Sequence, residues 1–489
     1  MKKWYGSAAV CINSENKILM VKQGTPDEKK VWSIPSGGKE EGETFEKCCI
    51  REVQEETGYD IEINEPLFIK RAISGDYSVT VHYFSGTVIG GEIQIHDPDE
   101  LIHDIAWQSA DDLVKMELSY PDDRKMLLDL LAAGVKKISE GCCFVMLIKP
   151  EKLKRGDKIA TVSPSSGLAG EETIRARYEQ GVRRLEEIFE LEVVPMPNSL
   201  KGIDYLYNHP EARAEDLMAA FRDDSIKGII ANIGGDDSIR LLPYIDFDVI
   251  QQHPKIVMGY SDVTTFHLFC HHAGLSSFYG PAILTDFAEN VEMPSYTVDM
   301  VKRTLFSDEI IGTIPPAKEW TSEMLEWTDP TNRNTQRTFI PHTGNELLQG
   351  KGIAKGRLIG GCIEVLEFAK GTVLWPTDTH WDDAILFFET SEEKTKPETI
   401  MRWLRNYAAQ GVFHQANGIV FAKPKDETYY DEYKNVIHTV MLECGLPDLP
   451  ILYNMNFGHT EPKFILPYGA MAEIDCDKQS FSILESGVL

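Results

Sequence analysis

Three observations make this a multidomain α/β protein. Its 489 residues exceed what one ordinary core holds, since domains run to about 100 to 200 residues. The first part of the chain carries a compact mixture of strand-like runs and one strong helix. From Lys149 onward, strands alternate with amphipathic helices, the βαβ rhythm of a parallel sheet with helices on its faces.

In the first part, Ala8 to Ile12, Lys17 to Val21 and Val79 to Phe84 read as strands, Thr44 to Thr57 as a helix, and a second helix falls near Asp123 to Ala133. The start, Met1-Lys2-Lys3 before an apolar run, is too short for a secretory signal because Asn13, Glu15 and Asn16 interrupt it. Periodicity lapses through Val135 to Gly141, a linker, before the strand-like Cys143 to Ile148, so a boundary is expected near residue 142. Then come strand Lys158 to Val162, helix Glu172 to Phe189, strands Gly228 to Ile233 and Lys255 to Met258, and helix Asp262 to Ala273. A polar segment with tryptophans and prolines, about Ile311 to Gln349, breaks the rhythm, which resumes from Gly352. The expected division is 1–141, 142–310, a connecting loop 311–350, and 351–489.

Composition narrows the partners. A formal charge of −28 repels nucleic acid and anionic membrane surfaces, so small substrates are expected. No run of about 18 apolar residues is present to span a bilayer. Nine cysteines without CxxC spacing, two pairs of them adjacent, suit small apolar roles in the reducing cytoplasm without disulfides.

Residues Gly37 to Tyr59 read Gly-x5-Glu-x7-Arg-Glu-Val-x-Glu-Glu-x-Gly-Tyr, with Gly37, Glu43, Arg51, Glu52, Glu55, Glu56 and Gly58 fixed. Seven fixed residues recur by chance on the order of once per billion positions. On a helix, Glu52, Glu55 and Glu56 fall at i, i+3 and i+4, opposite Phe45, Cys49 and Val53. Three hard oxygen donors suit Mg²⁺ or Mn²⁺, which would polarise a phosphoryl oxygen and activate water. Arg51, four residues before Glu55, is placed to orient it, and Gly58 to end the helix. The plainer alternative is a solvated acidic face. The pattern resembles the Nudix box, with Ser36 where many members carry glycine. That resemblance implies a Nudix α/β/α sandwich and metal-dependent hydrolysis of a nucleoside diphosphate derivative. It leaves the general base open, with Glu100 and Asp104 as candidates.

Lys255-Ile-Val-Met-Gly-Tyr-Ser-Asp-Val-Thr-Thr places Ser261 between a buried-type strand and a helix, the layout of a nucleophile elbow. Alone, such a serine is more often a turn or N-cap. Further motifs accompany it: Gly156-Asp-Lys-Ile-Ala-Thr-Val-Ser-Pro-Ser-Ser, Ile-Gly-Gly-Asp-Asp at 233–237, Gly356-Arg-Leu-Ile-Gly-Gly, Ala384-Ile-Leu-Phe-Phe-Glu389, and Gly458-His459-Thr-Glu-Pro. Together, from about residue 147 onward, they resemble the LD-carboxypeptidase family of serine peptidases. The resemblance implies a parallel-sheet nucleophile subdomain, a C-terminal α/β subdomain, no cofactor for that half, and a homodimer through it. It maps a triad onto Ser261, Glu389 and His459, with Glu364 a rival for the acid. It also maps an oxyanion hole onto the backbone amides of Asp262 and of the Gly234-Gly235 turn.

Three features resemble the microcin C immunity branch more than murein tetrapeptide carboxypeptidases: Gly-His-Thr-Glu-Pro, Glu389-Thr-Ser-Glu-Glu, and Trp320 and Trp327 in the long insertion. In that branch tryptophans stack on the nucleobase of peptidyl or aminoacyl nucleotide conjugates, so both are substrate-binding candidates; loop anchoring is the plainer role. Cys362 and Glu461 depart from residues common at their positions. His267, His271 and His272 share a helix, but no HExxH frames them, so a core or surface role is expected rather than zinc. No P-loop pattern is present. The leading expectation is a bifunctional hydrolase: a serine peptidase cutting the amide-type bond of nucleotide conjugates, joined to a Nudix pyrophosphohydrolase. Wall recycling on a murein tetrapeptide is one alternative, and a Nudix unit that senses a nucleotide for the peptidase is another.

Overall fold

Alternation along Lys2–Cys11 organises the first unit: Ala8 and Val10 face one core, Ala9 and Cys11 another. This strand is central in a four-stranded sheet of order Ser36–Gly38, Lys2–Cys11, Tyr77–Gly91, Tyr59–Ser74, parallel to Tyr77–Gly91 and antiparallel to Ser36–Gly38. Val31–Ser33, Ile18–Gln23 and Ile102–Gln108 form a second, antiparallel sheet. Helix Phe45–Thr57 supplies Cys49 and Val53 to one core, and helix Asp123–Ala133 supplies Leu127, Leu130 and Leu131 to the other. The sheets therefore lie between two helices, the expected α/β/α sandwich.

The computed structural model describes residues 2–25, 29–40, 42–74, 77–95, 101–120, 123–133 and 147–489. The chain divides into two units, 1–146 and 147–489. The expected linker Val135 to Gly141, the boundary near residue 142, most of the strand Cys143 to Ile148, and Glu100 lie outside the described residues.

The second unit holds two large sheets. One has the order Leu466–Pro467, Phe278–Tyr279, Ile256–Gly259, Ile226–Ala231, Lys158–Val162, Glu192–Pro195, all parallel except the first. The other is built on four parallel strands, Ile353–Cys362, Ile385–Glu389, Gly418–Ala422 and Ile451–Met455, with antiparallel strands at its flanks. Helices such as Arg175–Phe189, Pro210–Arg222, Pro397–Ala409 and Tyr430–Glu443 pack on them, as the periodicity predicts. Several bounds shift by one to three residues: the helix expected from Glu172 starts at Arg175, and the strand expected over Gly228 to Ile233 spans Ile226–Ala231. The helix after Ser261 starts at Thr264, because residues 261–263 form a tighter 3₁₀ turn out of the strand. The segment 311–349 is not a bare loop: Glu319–Trp320 pairs with Ile340–Pro341, and Thr321 pairs with Glu461.

The places of the candidate site residues follow from this topology. Ser261 lies just past the C-terminal end of Ile256–Gly259, Glu389 ends Ile385–Glu389, and His459 follows Ile451–Met455. Carboxyl ends of parallel strands are where open α/β sheets gather their ligands.

Candidate active sites

The Nudix-type helix is bounded by its own residues. Thr44 caps it by accepting from Lys47 N–H, and Gly58, at φ 75°, closes it with an N–H bond to the Gln54 carbonyl. Arg51 organises the acidic face: its Nη1 lies 2.8 Å from Glu52 Oε1 and 2.9 Å from Glu55 Oε2, and its Nε lies 3.0 Å from Glu43 Oε1. Arg51 Nη2 donates to the Gly38 carbonyl at 2.9 Å, tying the helix to the strand before it. Glu56 is buried and accepts from Ser36 N–H at 2.9 Å. A Cβ at Gly37 would fall 2.1 Å from Glu52 Oε2, so a side chain there would displace the Glu52 carboxylate from its present place.

The three carboxylates therefore do not face one empty point as helical spacing alone suggests. Glu52 and Glu55 share the guanidinium, while Glu56 turns to the strand. Among the described residues no group of three His, Cys, Asp or Glu side chains is gathered at metal-binding range. The donors still fit a hard divalent cation by type and charge, with four carboxylates set against one guanidinium. Burial pushes the Glu52 carboxyl above its usual range against the opposing pull of Arg51, a strain that a cation would relieve. Asp104 is exposed and its Oδ1 accepts from Ile105 N–H at 2.9 Å, apart from these contacts.

In the second unit, Ser261 adopts φ 63°, left-handed for a side chain that prefers otherwise, at a cost of about 1–2 kcal/mol. The buried strand before it and the turn after it impose that conformation, which presents Oγ beyond the sheet end. His459 Nε2 lies 3.1 Å from Ser261 Oγ, and its Nδ1 lies 2.6 Å from Glu389 Oε2. Glu389 is 2% exposed, and its second oxygen accepts from Tyr279 Oη at 2.6 Å. Tyr279 Oη in turn accepts from Ser261 N–H at 3.1 Å. Burial and the adjacent Glu389 carboxylate hold the Tyr279 phenol well above its usual range, so it stays a donor.

Glu364 does not reach the imidazole. Its carboxylate accepts from Ser391 N–H at 3.1 Å and from Thr395 Oγ1 at 2.9 Å. Gly234 approaches Ser261 closely enough that a Cβ would fall 2.9 Å from Ser261 Cβ and 3.3 Å from Asp262 N. The Asp262 side chain, given no role by the sequence reading, is fully buried; it accepts from Ser165 Oγ and, at 2.9 Å, from Ser238 N–H. It braces three segments around the turn.

The NUDIX domain profile matches residues 3–130, and profiles of the LD-carboxypeptidase N-terminal and C-terminal domains match 159–280 and 355–474. A solved MccF-like protein from Streptococcus pneumoniae, in complex with AMP, is 38% identical with a TM-score of 0.62, over 67% of this chain and 98% of its own. The chain belongs to the LD-carboxypeptidase family, with a NUDIX domain ahead of the peptidase domains. The microcin C7 self-immunity protein MccF of Escherichia coli is 28% identical over 56% of this chain and 78% of its own. A solved structure of that self-immunity protein in complex with aspartyl sulfamoyl adenosine is 26% identical, with a TM-score of 0.62, over 70% of this chain and all of its own.

In the LD-carboxypeptidase half, Ser261 and His459 open onto a cleft of about 270 Å³. Trp327 lines it, with the Arg177 guanidinium 4.3 Å from the ring centroid. Trp320 is not among the lining residues: it is 4% exposed, with Lys423 Nζ 4.1 Å above its ring, so the structure gives it an anchoring place. A buried ionic network underlies the cleft. Arg337 joins Glu289 and, at 3.0 Å, Glu461, and Lys463 joins Glu461 at 2.9 Å and Asp286 at 2.8 Å. Burial opposes ionisation of Glu461, but Lys463 and Arg337 outweigh it and hold the carboxyl well below its usual range. His267 is core, between Ser277 Oγ at 2.8 Å and the Gly259 carbonyl at 2.9 Å.

Tyr279, Arg177, Arg337 and Lys425 escaped the sequence reading. Glu392 belongs to the run Glu389-Thr-Ser-Glu-Glu, whose sequence gives it no role, yet its Oε2 lies 2.8 Å from His459 Nε2. Burial alone would lower the His459 pKa, but Glu389 and Glu392 together raise it to about 10. The seven described cysteines are free thiols, and no helix among the described residues is long and apolar enough to cross a membrane.

Proposed function

We propose that the LD-carboxypeptidase half is a serine hydrolase that cuts the amide-type bond between an aminoacyl or peptidyl group and a nucleotide, and that the NUDIX half hydrolyses a nucleoside diphosphate derivative. The observation that carries the first part is the hydrogen-bonded series Ser261–His459–Glu389 opening on the cleft that holds Trp327. Ser261 Oγ attacks the carbonyl carbon while His459 Nε2 takes its proton. The tetrahedral oxyanion is held by the amides of Asp262 and Gly235. His459 returns the proton to the leaving nitrogen, and water then releases the acyl group from Ser261 by the reverse relay. Glu389 fixes the imidazole and stabilises its charged form, and Tyr279 keeps Glu389 oriented. One face of Trp327 is taken by Arg177; a purine would stack on the other, a contact worth about 1–3 kcal/mol.

In the NUDIX half, Glu52, Glu55 and Glu56 would hold Mg²⁺ or Mn²⁺, which when bound supplies Lewis-acid stabilisation of the phosphoryl charge. Arg51 positions Glu52 and Glu55, and Gly37 leaves room for the Glu52 carboxylate.

The test is product analysis by mass spectrometry after incubating the full chain with an aminoacyl sulfamoyl adenosine or a murein tetrapeptide. Release of the amino acid from the adenosine compound supports the proposal; cleavage of the tetrapeptide alone replaces it with a role in wall recycling.

Two further results are expected. Tyr279→Phe removes a donor to a buried carboxylate and an acceptor for Ser261 N–H, so stability should fall by about 2 kcal/mol and kcat about tenfold or more, measured by thermal unfolding and steady-state kinetics. The general base must be neutral, and carboxylates raise its pKa. The acidic limb of kcat/KM should therefore lie above the value near 6.5 of an unperturbed imidazole, and Glu392→Gln should move it to lower pH.

A further inference from the structure

Two oxygens compete for one nitrogen beside the nucleophile. His459 Nε2 faces Ser261 Oγ at 3.1 Å and Glu392 Oε2 at 2.8 Å. That nitrogen carries at most one hydrogen, and while it donates to Glu392 it cannot accept the Ser261 proton. The two carboxylates around the imidazole are held differently. Glu389 is locked on both oxygens, by His459 and Tyr279, deep in the unit. Glu392 sits in the turn after the strand Ile385–Glu389, with a side chain 55% exposed on the cleft wall.

We propose that Glu392 is an ammonium subsite: it binds the free α-ammonium of the aminoacyl group whose carbonyl Ser261 attacks, and in doing so releases His459 Nε2. The inference rests on the amide hydrolysis proposed above and names which conjugates the site prefers.

The covalent geometry of an amino acid makes the placement specific. Its amino nitrogen and carbonyl carbon are both bonded to Cα and lie roughly 2.5 Å apart, from standard bond lengths. With the carbonyl carbon at Ser261 Oγ, the nitrogen falls within reach of a carboxylate that already touches the neighbouring imidazole. An ammonium brings three donors and a full charge, so it can replace the imidazolium as the partner of Glu392 without leaving the carboxylate unpaired. An acylated nitrogen offers one neutral N–H and cannot make that exchange. Two of the cleft cations have other partners, Arg337 with Glu289 and Glu461, and Arg177 with Asn290 at 2.8 Å and the Leu284 carbonyl at 2.7 Å. Lys425 also lines the cleft and its charge acts on Glu392; it has the charge for the phosphoryl end of a conjugate rather than its amine. The subsite therefore selects aminoacyl conjugates with a free amino group over peptidyl conjugates whose corresponding nitrogen is acylated.

The test compares an aminoacyl sulfamoyl adenosine with its N-acetyl derivative on the full chain. Wild type should favour the free amine by about tenfold or more in kcat/KM, the scale of a charge-assisted hydrogen bond. Glu392→Gln should bring the ratio close to one, and Glu392→Asp should retain part of the preference. A ratio does not depend on the fraction of folded enzyme, and the same ratio read as Kd in Ser261→Ala, with and without Glu392→Gln, checks it without turnover. An unchanged preference in Glu392→Gln, or none in wild type that cuts both compounds, overturns the subsite alone. No cleavage of either compound by wild type overturns the proposed hydrolysis and the subsite with it.

Discussion

Ser261→Ala is expected to lower turnover of the nucleotide conjugate by about 10⁴-fold or more, because the relay acts as a unit and its loss leaves only binding and the oxyanion donors. The side chain is small and borders a cleft, so folding should be little changed. A melting temperature within a few degrees of wild type, beside the lost turnover in a discontinuous assay, checks both parts. His459→Ala and Glu389→Gln should fall in the same range or somewhat below it. The combined variants should add far less than the product of the single losses, since each already disables the same proton transfer. Losses that multiplied instead would mean that Ser261 and His459 act in separate steps.

The second large effect belongs to the NUDIX half. Chelating divalent metal should abolish hydrolysis of a diphosphate substrate, and Glu55→Gln should lower it about a thousandfold, since the cation supplies several kcal/mol of charge stabilisation. Glu56→Gln should add a loss of stability, because Glu56 is buried on Ser36 N–H whereas Glu55 is one-third exposed. Conjugate cleavage should be indifferent to the chelator, as Ser261, His459 and Glu389 need no metal for proton transfer. Formation of the nucleoside monophosphate followed over a Mg²⁺ titration, with the amide assay run alongside, separates the two activities.

Much of this was legible in the chain because the signals are local. Thr44 and Gly58 mark the ends of the acidic helix, and Arg51 to Glu55 is an i, i+4 pair whose ion pair follows from spacing. The strand-to-turn step at Ser261 is written in the apolar run Ile-Val-Met before Gly-Tyr-Ser, and the parallel sheets follow from the βαβ rhythm. What stayed hidden depends on contacts between residues far apart in sequence. Tyr279 reaches Glu389 across 110 residues, and Arg337 reaches Glu461 across 124. Neither has a periodic signature, and a buried tyrosine or arginine looks like any other until the sheets are assembled. The paired tryptophans show the same limit. Trp320 sits on a short strand and turns inward under Lys423, while Trp327 lies in the following loop and reaches the cleft. The glutamates of the acidic helix illustrate the reverse case, since helical spacing placed Glu52, Glu55 and Glu56 on one face but could not foresee that Arg51 and Ser36 would divide them.

The most direct test of the central claim is a crystal structure of Ser261→Ala with an uncleaved aminoacyl sulfamoyl adenosine. The account predicts the scissile carbonyl carbon about 3–3.5 Å from where Ser261 Oγ would lie. It also predicts the carbonyl oxygen toward the amides of Asp262 and Gly235, the purine stacked on Trp327 opposite Arg177, and the ammonium on Glu392. A ligand that binds with its carbonyl out of reach of that position and of His459 would contradict it.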